Sequence, residues 1–140
     1  MNWISKNNKN VYDIKIQNLQ LQWNSVSDDY INSANALNEV GCIHTCQGLE
    51  VDYIGVIIGP DLVVRNGQIV TDASKRAPSD KSIRGYKKLL KENPDQAQAL
   101  TDTLIKNTYR TLMTRGMKGC YVYSTDVETQ EWLRAQTTSH

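Results

Sequence analysis

The sequence predicts an α/β layered domain with a mostly parallel sheet. Short apolar segments with the two-residue period of strands alternate with segments of helical period, and one strand candidate is apolar on both faces. The chain has 140 residues and is 39% hydrophobic, which argues against disorder and is enough for one domain with its own core. We therefore expect residues 1–140 to form a single domain.

The first third of the chain predicts a strand pattern, a short helix and a short strand. Alternating apolar residues mark a half-buried strand over Val11–Ile16, and the period of two continues through Leu19, Leu21 and Trp23. A short strand is expected over Val40–Thr45. Ser27 and the two acids after it favour a helix start. The inner face of that helix is expected to carry three residues at helical spacing, Ile31, Ala34 and Leu37.

The middle of the chain predicts a buried strand followed by a hairpin. Tyr53–Ile58 is apolar on both faces, as the central strand of a covered parallel sheet should be. Leu62–Val70 contains Asn66-Gly67 between Val-rich flanks, which predicts a β-hairpin because both residues tolerate positive φ. Residues 60–94 therefore form a basic hairpin and loop insertion.

The rest of that insertion predicts a mobile basic loop over residues 72–82 and a short helix over Ser82–Lys91 that stops before Pro94. The best helix runs from about Asp95 to Arg115, where apolar residues recur at helical spacing.

The end of the chain predicts a strand and a last helix. Gly116 and Gly119 are expected to end the long helix, and Cys120–Tyr123 forms an apolar strand. Thr125 with Glu128 fits a capping box at the start of a helix. That helix would carry three apolar residues, Val127, Trp132 and Leu133.

The charge is small in total but unevenly spread. The net charge is +1, yet the segment from Arg65 to Lys91 carries about +6 and the remainder about −5. Its basic residues are Arg65, Lys75, Arg76, Lys81, Arg84, Lys87, Lys88 and Lys91. This pattern fits a surface that attracts anions, and it also fits a solvated insertion.

Composition excludes several classes of protein. No apolar stretch approaches the roughly 18 residues of a membrane span, and the amino terminus has no apolar core of a signal peptide. Three cysteines are an odd count that gives no disulfide framework. We therefore expect a cytoplasmic protein without a membrane partner.

Two segments carry chemistry. His44–Glu50 follows the expected short strand, and Gly48 within it allows close approach to a ligand. Arg115 falls at the end of the long helix, where a rigid guanidinium could contact a phosphate in two places. A structural turn and a helix-end arginine favoured by the dipole explain the same residues without a ligand.

Taken together, the two segments resemble the last two sequence motifs of superfamily 1 helicases. Cys42–Glu50, CIHTCQGLE, is similar to motif V, often Thr-x-His-x-x-(Lys/Gln)-Gly-Leu-Glu. Tyr109–Gly116, YRTLMTRG, is similar to motif VI, often Tyr-Val-Ala-x-Thr-Arg-Ala. The closer resemblance, over roughly residues 11–135, is to the helicase-like family related to the Schlafen group. Two departures stand out: Cys42 replaces the usual threonine and Gly116 the usual alanine.

The resemblance implies a fold and a set of roles. The fold would be a three-layer RecA-like lobe of the P-loop NTPase type, with a mostly parallel central sheet. Arg115 would be the arginine finger that stabilises charge on the transferred γ-phosphoryl group. Four other residues would bind the nucleotide: Gln47, Gly48, Glu50 and Arg110. Among them, Glu50 would contact the ribose. His44 and Thr45 would lie toward the nucleic acid, DNA or RNA.

A missing motif limits what this chain can do. No G-x-x-x-x-G-K-[ST] occurs, so the loop that cradles phosphates and its lysine are absent. Asp61, after an apolar run, resembles a magnesium-binding aspartate but is expected to serve the hairpin entry. The family places the phosphate loop in an upstream lobe of the same protein. ATP or GTP with Mg²⁺ is therefore expected in a full-length protein, while this chain alone should bind neither and should not hydrolyse ATP.

Two other functions fit the residues. Cys42, His44 and Cys46 alternate along the expected strand, and with Cys120 they could form a zinc site, although their spacing is poor for a tetrahedron. Alternatively, the 65–91 segment could bind nucleic acid or protein without any catalysis, with Tyr86 available for stacking. Salt-sensitive binding to a single strand would distinguish this second alternative.

Overall fold

The computed structural model describes residue 8 and residues 10–24, 30–46, 48–77 and 80–138. The chain is an α/β protein with small mixed sheets. Its internal contacts divide it into two compact units, Met1–Leu49 and Glu50–His140.

The first unit contains a three-stranded mixed sheet. β1 (Ile14–Ile16) pairs antiparallel with β2 (Leu19–Trp23), and β3 (Glu39–Val40) runs parallel to β2. The first strand begins at Ile14 rather than Val11, and the residues that continue its period of two, from Leu19 to Trp23, form a separate strand. The chain reverses between them at Gln17, which has a positive φ of 51°.

Two predictions for the first unit are wrong. The expected short helix is replaced by two 3₁₀ turns, Tyr30–Asn32 and Ala36–Asn38, and Leu37, expected on its inner face, is 96% exposed. The predicted helix start at Ser27 lies outside the described residues. The expected strand Val40–Thr45 ends at once, and its later residues form the single helical turn α1 (Ile43–Cys46).

Thr45 explains why those residues turn. Its hydroxyl accepts a hydrogen bond from the Cys42 amide at 2.8 Å and donates one to the Cys42 carbonyl oxygen at 3.0 Å. The first of these bonds satisfies an amide before the helical turn, as the returning side chain of a capping box does. The alternation of apolar residues predicted a strand here, but the Thr45 side-chain cap stabilises a helical turn instead.

The second unit is built on a pair of parallel strands. β4 (Val51–Ile58) pairs with β7 (Gly116–Ser124), and the long helix α3 (Pro94–Met113) packs on one face of the pair. Buried residues of β4, α3 and the hairpin segment form one core cluster: Val56, Ile58, Leu62, Ala73, Ile105 and Tyr109. Cys120 and Val122 of β7 pack against this cluster. The opposite face remains open at Tyr53 and Tyr121, which are 57% and 72% exposed.

The predicted hairpin is confirmed. β5 (Leu62–Arg65) pairs antiparallel with β6 (Gln68–Thr71). Asn66 and Gly67 have φ of 52° and 74°, the two left-handed positions of the tight turn that joins twisted strands.

The residues after the hairpin are more regular than the expected mobile basic loop. Ala73–Lys75 is a 3₁₀ turn capped by Asp72, and Lys81–Ile83 is another. Arg76 is held by two carboxylates, Asp61 and Asp80. The expected helix Ser82–Lys91 is shorter and begins later, as α2 (Tyr86–Glu92).

Helix α3 is confirmed with small changes at both ends. Pro94 is its first residue rather than a barrier before it, because proline lacks the amide that the first turn leaves unpaired and Asn93 caps the helix through the Gln96 amide. Gly116 and Gly119 follow the helix as predicted but lie inside β7.

The last helix, α4 (Val127–Thr138), is also confirmed, but its cap differs. Asp126 rather than Thr125 accepts the Thr129 amide at 3.0 Å. Thr125 instead donates its amide to the Ile58 carbonyl oxygen at 3.1 Å, which ties β4 to the end of β7.

The mostly parallel central sheet is not seen. Two pairings of described strands are parallel and two are antiparallel, in three separate sheets of two or three strands. No helix among the described residues is long and apolar enough to span a membrane.

Candidate functional site

Glu50 and Arg115 lie side by side at one end of the parallel pair. Each directly precedes a strand, and Val51 is in register with Gly116. The Val51 amide donates a hydrogen bond to the Arg115 carbonyl oxygen at 3.0 Å. The backbone therefore brings together the end of the motif V segment and the arginine of the motif VI segment, which are 65 positions apart.

This end of the strands differs from the one that the general rule suggests. Ligands in open parallel sheets usually lie beyond the carboxyl ends of the strands. Glu50 and Arg115 lie at the amino ends of β4 and β7. A ligand bound by these two residues would therefore lie at the amino ends of β4 and β7.

The Arg115 side chain is anchored at one nitrogen. Its Nε donates a hydrogen bond to the Thr111 carbonyl oxygen at 3.2 Å, one turn back on α3. The Arg115 amide also donates to the Leu112 carbonyl oxygen at 3.2 Å. Within the described part of the chain, its two terminal nitrogens make no hydrogen bond and no ion pair. A guanidinium fixed at Nε in this way can present its outer edge to an anion.

Gly116 has a steric reason to be glycine. A Cβ at this position would overlap the Gly119 carbonyl oxygen and lie 3.1 Å from the Ile54 amide nitrogen. Both neighbours are backbone atoms, so they cannot move away without disturbing the β4–β7 pair. Glycine therefore replaces the alanine usual in motif VI because the start of β7 leaves no room for a Cβ.

Tyr109, the first residue of the motif VI segment, is buried and holds α3 in position. Its hydroxyl donates to Asp61 Oδ1 at 2.6 Å and accepts from the Gly59 amide at 3.1 Å. Burial raises the pKa of Tyr109 well above its usual 10.0, and the negative charge of Asp61 raises the pKa further. The hydroxyl therefore stays protonated and links the helix to the end of β4.

Asp61 serves the hairpin entry, as expected. Its side chain is buried, receives the Tyr109 hydrogen bond and lies 3.4 Å from Arg76 Nη1. Its carbonyl oxygen accepts the Asp72 amide at 2.9 Å, which closes the base of the hairpin. The Asp61 carboxylate thus contacts a tyrosine hydroxyl and a guanidinium of the same fold, and these contacts are structural.

The remaining predicted site residues of the second unit are exposed. The side chains of Arg110 and Glu50 lie at the surface, and neither side chain makes a hydrogen bond or ion pair with another described residue. Both are accessible to a ligand, and their nucleotide-binding roles stay predictions.

Four predicted residues belong to the first unit, and three of them are among the described residues. His44 is exposed on α1, while the Thr45 hydroxyl is engaged by the Cys42 backbone. Gly48 follows α1 with a φ of 75°, a conformation that favours glycine whether or not a ligand binds. Gln47 lies outside the described residues.

The zinc alternative assumed that Cys42, His44 and Cys46 alternate along one strand, and the structure does not show this arrangement. Cys42 precedes α1, and His44 and Cys46 lie on it, so the three do not alternate along a strand. Among the described residues, no group of three or more His, Cys, Asp and Glu side chains is placed to hold a metal ion.

Sequence patterns did not reveal the Tyr109–Asp61–Arg76 contacts. Tyr109 was one of many apolar positions of α3, and Arg76 one of eight basic residues. The available signal was a polar residue: an aspartate three positions after an apolar strand and directly before a hairpin strand needs hydrogen-bonding partners if it is buried. Which partners it finds depends on tertiary packing.

Comparison with protein families shows which family the chain resembles. The family model described as Schlafen group 3, DNA/RNA helicase domain matches residues 1–126. The chain belongs to this family. The match includes both the Cys42–Glu50 segment and the Tyr109–Gly116 segment, so the Schlafen group 3 helicase domain contains the strand end described above.

One similar protein is the uncharacterized protein YPL245W of Saccharomyces cerevisiae. It is 34% identical to this Schlafen group 3 chain over 100 residues, which are 71% of the chain and 21% of the yeast protein. The chain thus spans about a fifth of the length of that relative. No solved structure matches the chain.

Proposed function

We propose that this chain is the C-terminal RecA-like lobe of a helicase-like NTPase. It would supply the motif V segment and the arginine finger Arg115 to a nucleotide site shared with a lobe that carries a phosphate loop. The observation that supports this most directly is the hydrogen bond from the Val51 amide to the Arg115 carbonyl oxygen, which places Glu50, the last residue of the motif V segment, beside Arg115.

The chemistry of the site fits a triphosphate. Phosphoryl transfer depends on positioned positive charge that stabilises the transferred group, and an arginine finger contributes about 10³- to 10⁵-fold in rate. The anchored Nε of Arg115 leaves the outer edge of the guanidinium for phosphate oxygens. Glu50, one residue before β4, offers a carboxylate to ribose hydroxyls.

The location of the pair supports a shared site. The amino ends of β4 and β7 are not where a parallel sheet usually builds a complete pocket. No phosphate loop occurs in these 140 residues. ATP or GTP and its Mg²⁺ would therefore be held mainly by the other lobe, and Arg115 would reach the γ-phosphate from this one.

The finer parts of the proposal concern fold and partners. A three-layer RecA-like arrangement would need further elements over the open face that carries Tyr53 and Tyr121, because parallel sheets are normally covered on both faces. DNA or RNA would be the nucleic-acid partner, with His44 and Thr45 on its path.

The test is a hydrolysis assay in which this chain follows a lobe with a phosphate loop in one polypeptide. We expect no turnover from the chain alone, turnover from the joined protein, and a loss of about 10³-fold or more in kcat with Arg115→Ala. Arg115→Lys should recover little, because lysine lacks the planar fork that contacts two oxygens.

The matched control is Arg134→Ala on the exposed surface of α4, which removes the same charge away from the strand end. Its turnover should equal that of the unsubstituted protein. Equal turnover of the Arg115→Ala protein, with its fold intact by circular dichroism, would refute the finger assignment.

A further inference from the structure

We propose that the exposed basic face of α2 binds the sugar–phosphate backbone of single-stranded nucleic acid. This basic face consists of Lys87, Lys88 and Lys91 on the helix and Arg84 just before it. It lies outside both motif segments and does not depend on the nucleotide site.

Six of the eight basic residues of the 65–91 segment fall into two groups. Arg65 pairs with Asp126 and Glu128, and Arg76 pairs with Asp61 and Asp80, so both arginines hold the fold together. These ion pairs account for two of the positive charges that the sequence concentrates here.

The basic face of α2 is different. Within the part of the chain that the structure describes, no carboxylate pairs with Arg84, Lys87 or Lys91. Lys88 has only a long contact to Glu92, at 3.8 Å, and its side chain is 82% exposed. The positive charge on this face is therefore available to an external anion.

The helix separates its charged and apolar sides. Tyr86 packs against the core cluster and Leu89 is half-buried, whereas Lys87, Lys88 and Lys91 are all exposed. At 100° per residue the three lysines fall within about 100° of one another. Consecutive lysines thus point in neighbouring directions on one side of a fixed scaffold.

Local electrostatics disfavours this arrangement in the absence of a ligand. Lys87 and Lys88 lie in the first turn of α2, which contains no acid, although the positive end of the helix dipole favours acids there. Lys87 and Lys91 are a like-charged pair at i,i+4, and the Lys88–Glu92 pair has the less favourable order. Positions that oppose local stability are expected at functional sites.

The charge pattern favours a nucleic-acid backbone over an acidic protein. A backbone offers repeated phosphates, and compact lysine charges bind them without reading bases. Tyr86, expected from the sequence to stack on bases, packs into the core instead. We therefore infer contacts to phosphates and binding without sequence preference.

The test measures binding of the chain alone, without nucleotide, to a labelled mixed-sequence single strand of 20 nucleotides by fluorescence anisotropy at several salt concentrations. We expect Lys87→Ala/Lys91→Ala to weaken binding and to make the slope of log K against log salt less negative by about 1.4, since each single-strand phosphate contact contributes about −0.7. Alanine keeps the helix, so circular dichroism should show an unchanged fold.

The control is Lys15→Ala/Arg134→Ala, which removes two exposed positive charges elsewhere, neither of them in an ion pair with a described residue. It should bind like the unsubstituted chain. Equal weakening in both double variants, an unchanged slope in the α2 variant, or binding only to phosphatidylserine vesicles would overturn the proposal. None of these results bears on Arg115, whose test is hydrolysis in the joined protein.

Discussion

At the scale of single residues, Tyr109 connects the motif VI segment to the rest of the second unit. Its hydroxyl contacts Asp61 on one side and the Gly59 amide on the other, so one group joins α3, the end of β4 and the hairpin entry. Six positions later, Arg115 begins the approach to β7. The orientation of α3, and with it the place of Arg115, therefore depends on this buried contact.

Replacing Tyr109 with phenylalanine should destabilise the fold. The substitution leaves the buried Asp61 carboxylate and the Gly59 amide without this partner, which costs about 1–3 kcal/mol. Equilibrium unfolding in urea measures the change.

Tyr121→Phe removes the same atom from a side chain that is 72% exposed, and it should change the free energy of unfolding by less than about 0.5 kcal/mol. Equal effects of the two substitutions would show that the Tyr109 hydroxyl contributes nothing special.

At the scale of elements, the hairpin is fastened to α4 through side chains. Arg65 forms a two-pronged ion pair with Asp126, with both distances at 2.7 Å. The Val64 amide donates to Thr129 Oγ1 at 2.8 Å. Asp126 also caps α4 through the Thr129 amide, so one carboxylate orders the helix start and the strand beside it.

The attachment should weaken in acid. The hydrogen bond from Arg65, followed by those from Thr129, holds the pKa of Asp126 below its usual value of 3.8. A carboxyl group with a lowered pKa in the folded state stabilises the fold fully above about pH 4 and loses this contribution as the pH falls further.

Asp126→Asn tests this dependence, because asparagine still caps a helix but carries no charge. We expect a lower melting temperature than the unsubstituted chain at pH 7, with the difference shrinking between pH 4 and pH 2.

Asp52→Asn breaks an exposed ion pair with Lys118 and should show little difference at either pH. A gap between Asp126→Asn and the unsubstituted chain that stays constant with pH would contradict the ion-pair explanation.

At the scale of the whole molecule, the core cluster belongs entirely to the second unit. Every buried member of the cluster lies between Val56 and Tyr109, and β4, β7 and α3 all fall within Glu50–His140. The second unit therefore has the parts that a cooperative fold needs.

A polypeptide of residues 50–140 should fold without the first 49 residues. The apolar residues of its core cluster are buried against other residues of the same unit. We therefore expect one cooperative unfolding transition, measured by urea denaturation with circular dichroism. A gradual transition without a defined midpoint would show that residues 1–49 are required for the core.

The sequence by itself determined the elements whose cause is local. Asn66-Gly67 specifies the hairpin because both residues accept positive φ, and the apolar period of α3 specifies a long helix. The two motif segments indicated the helicase-like family, and the family comparison confirmed it over residues 1–126.

Only the tertiary structure decided the elements whose cause is distant in the chain. Thr125 and Asp126 both fit a helix cap by residue type, and the choice followed from Arg65, 61 positions away. The Tyr109–Asp61 contact and the pairing of Val51 with Gly116 likewise join residues far apart in sequence. Local patterns report the backbone preferences of neighbouring residues, whereas the partners of a buried carboxylate and the register of parallel strands are set by packing across the fold.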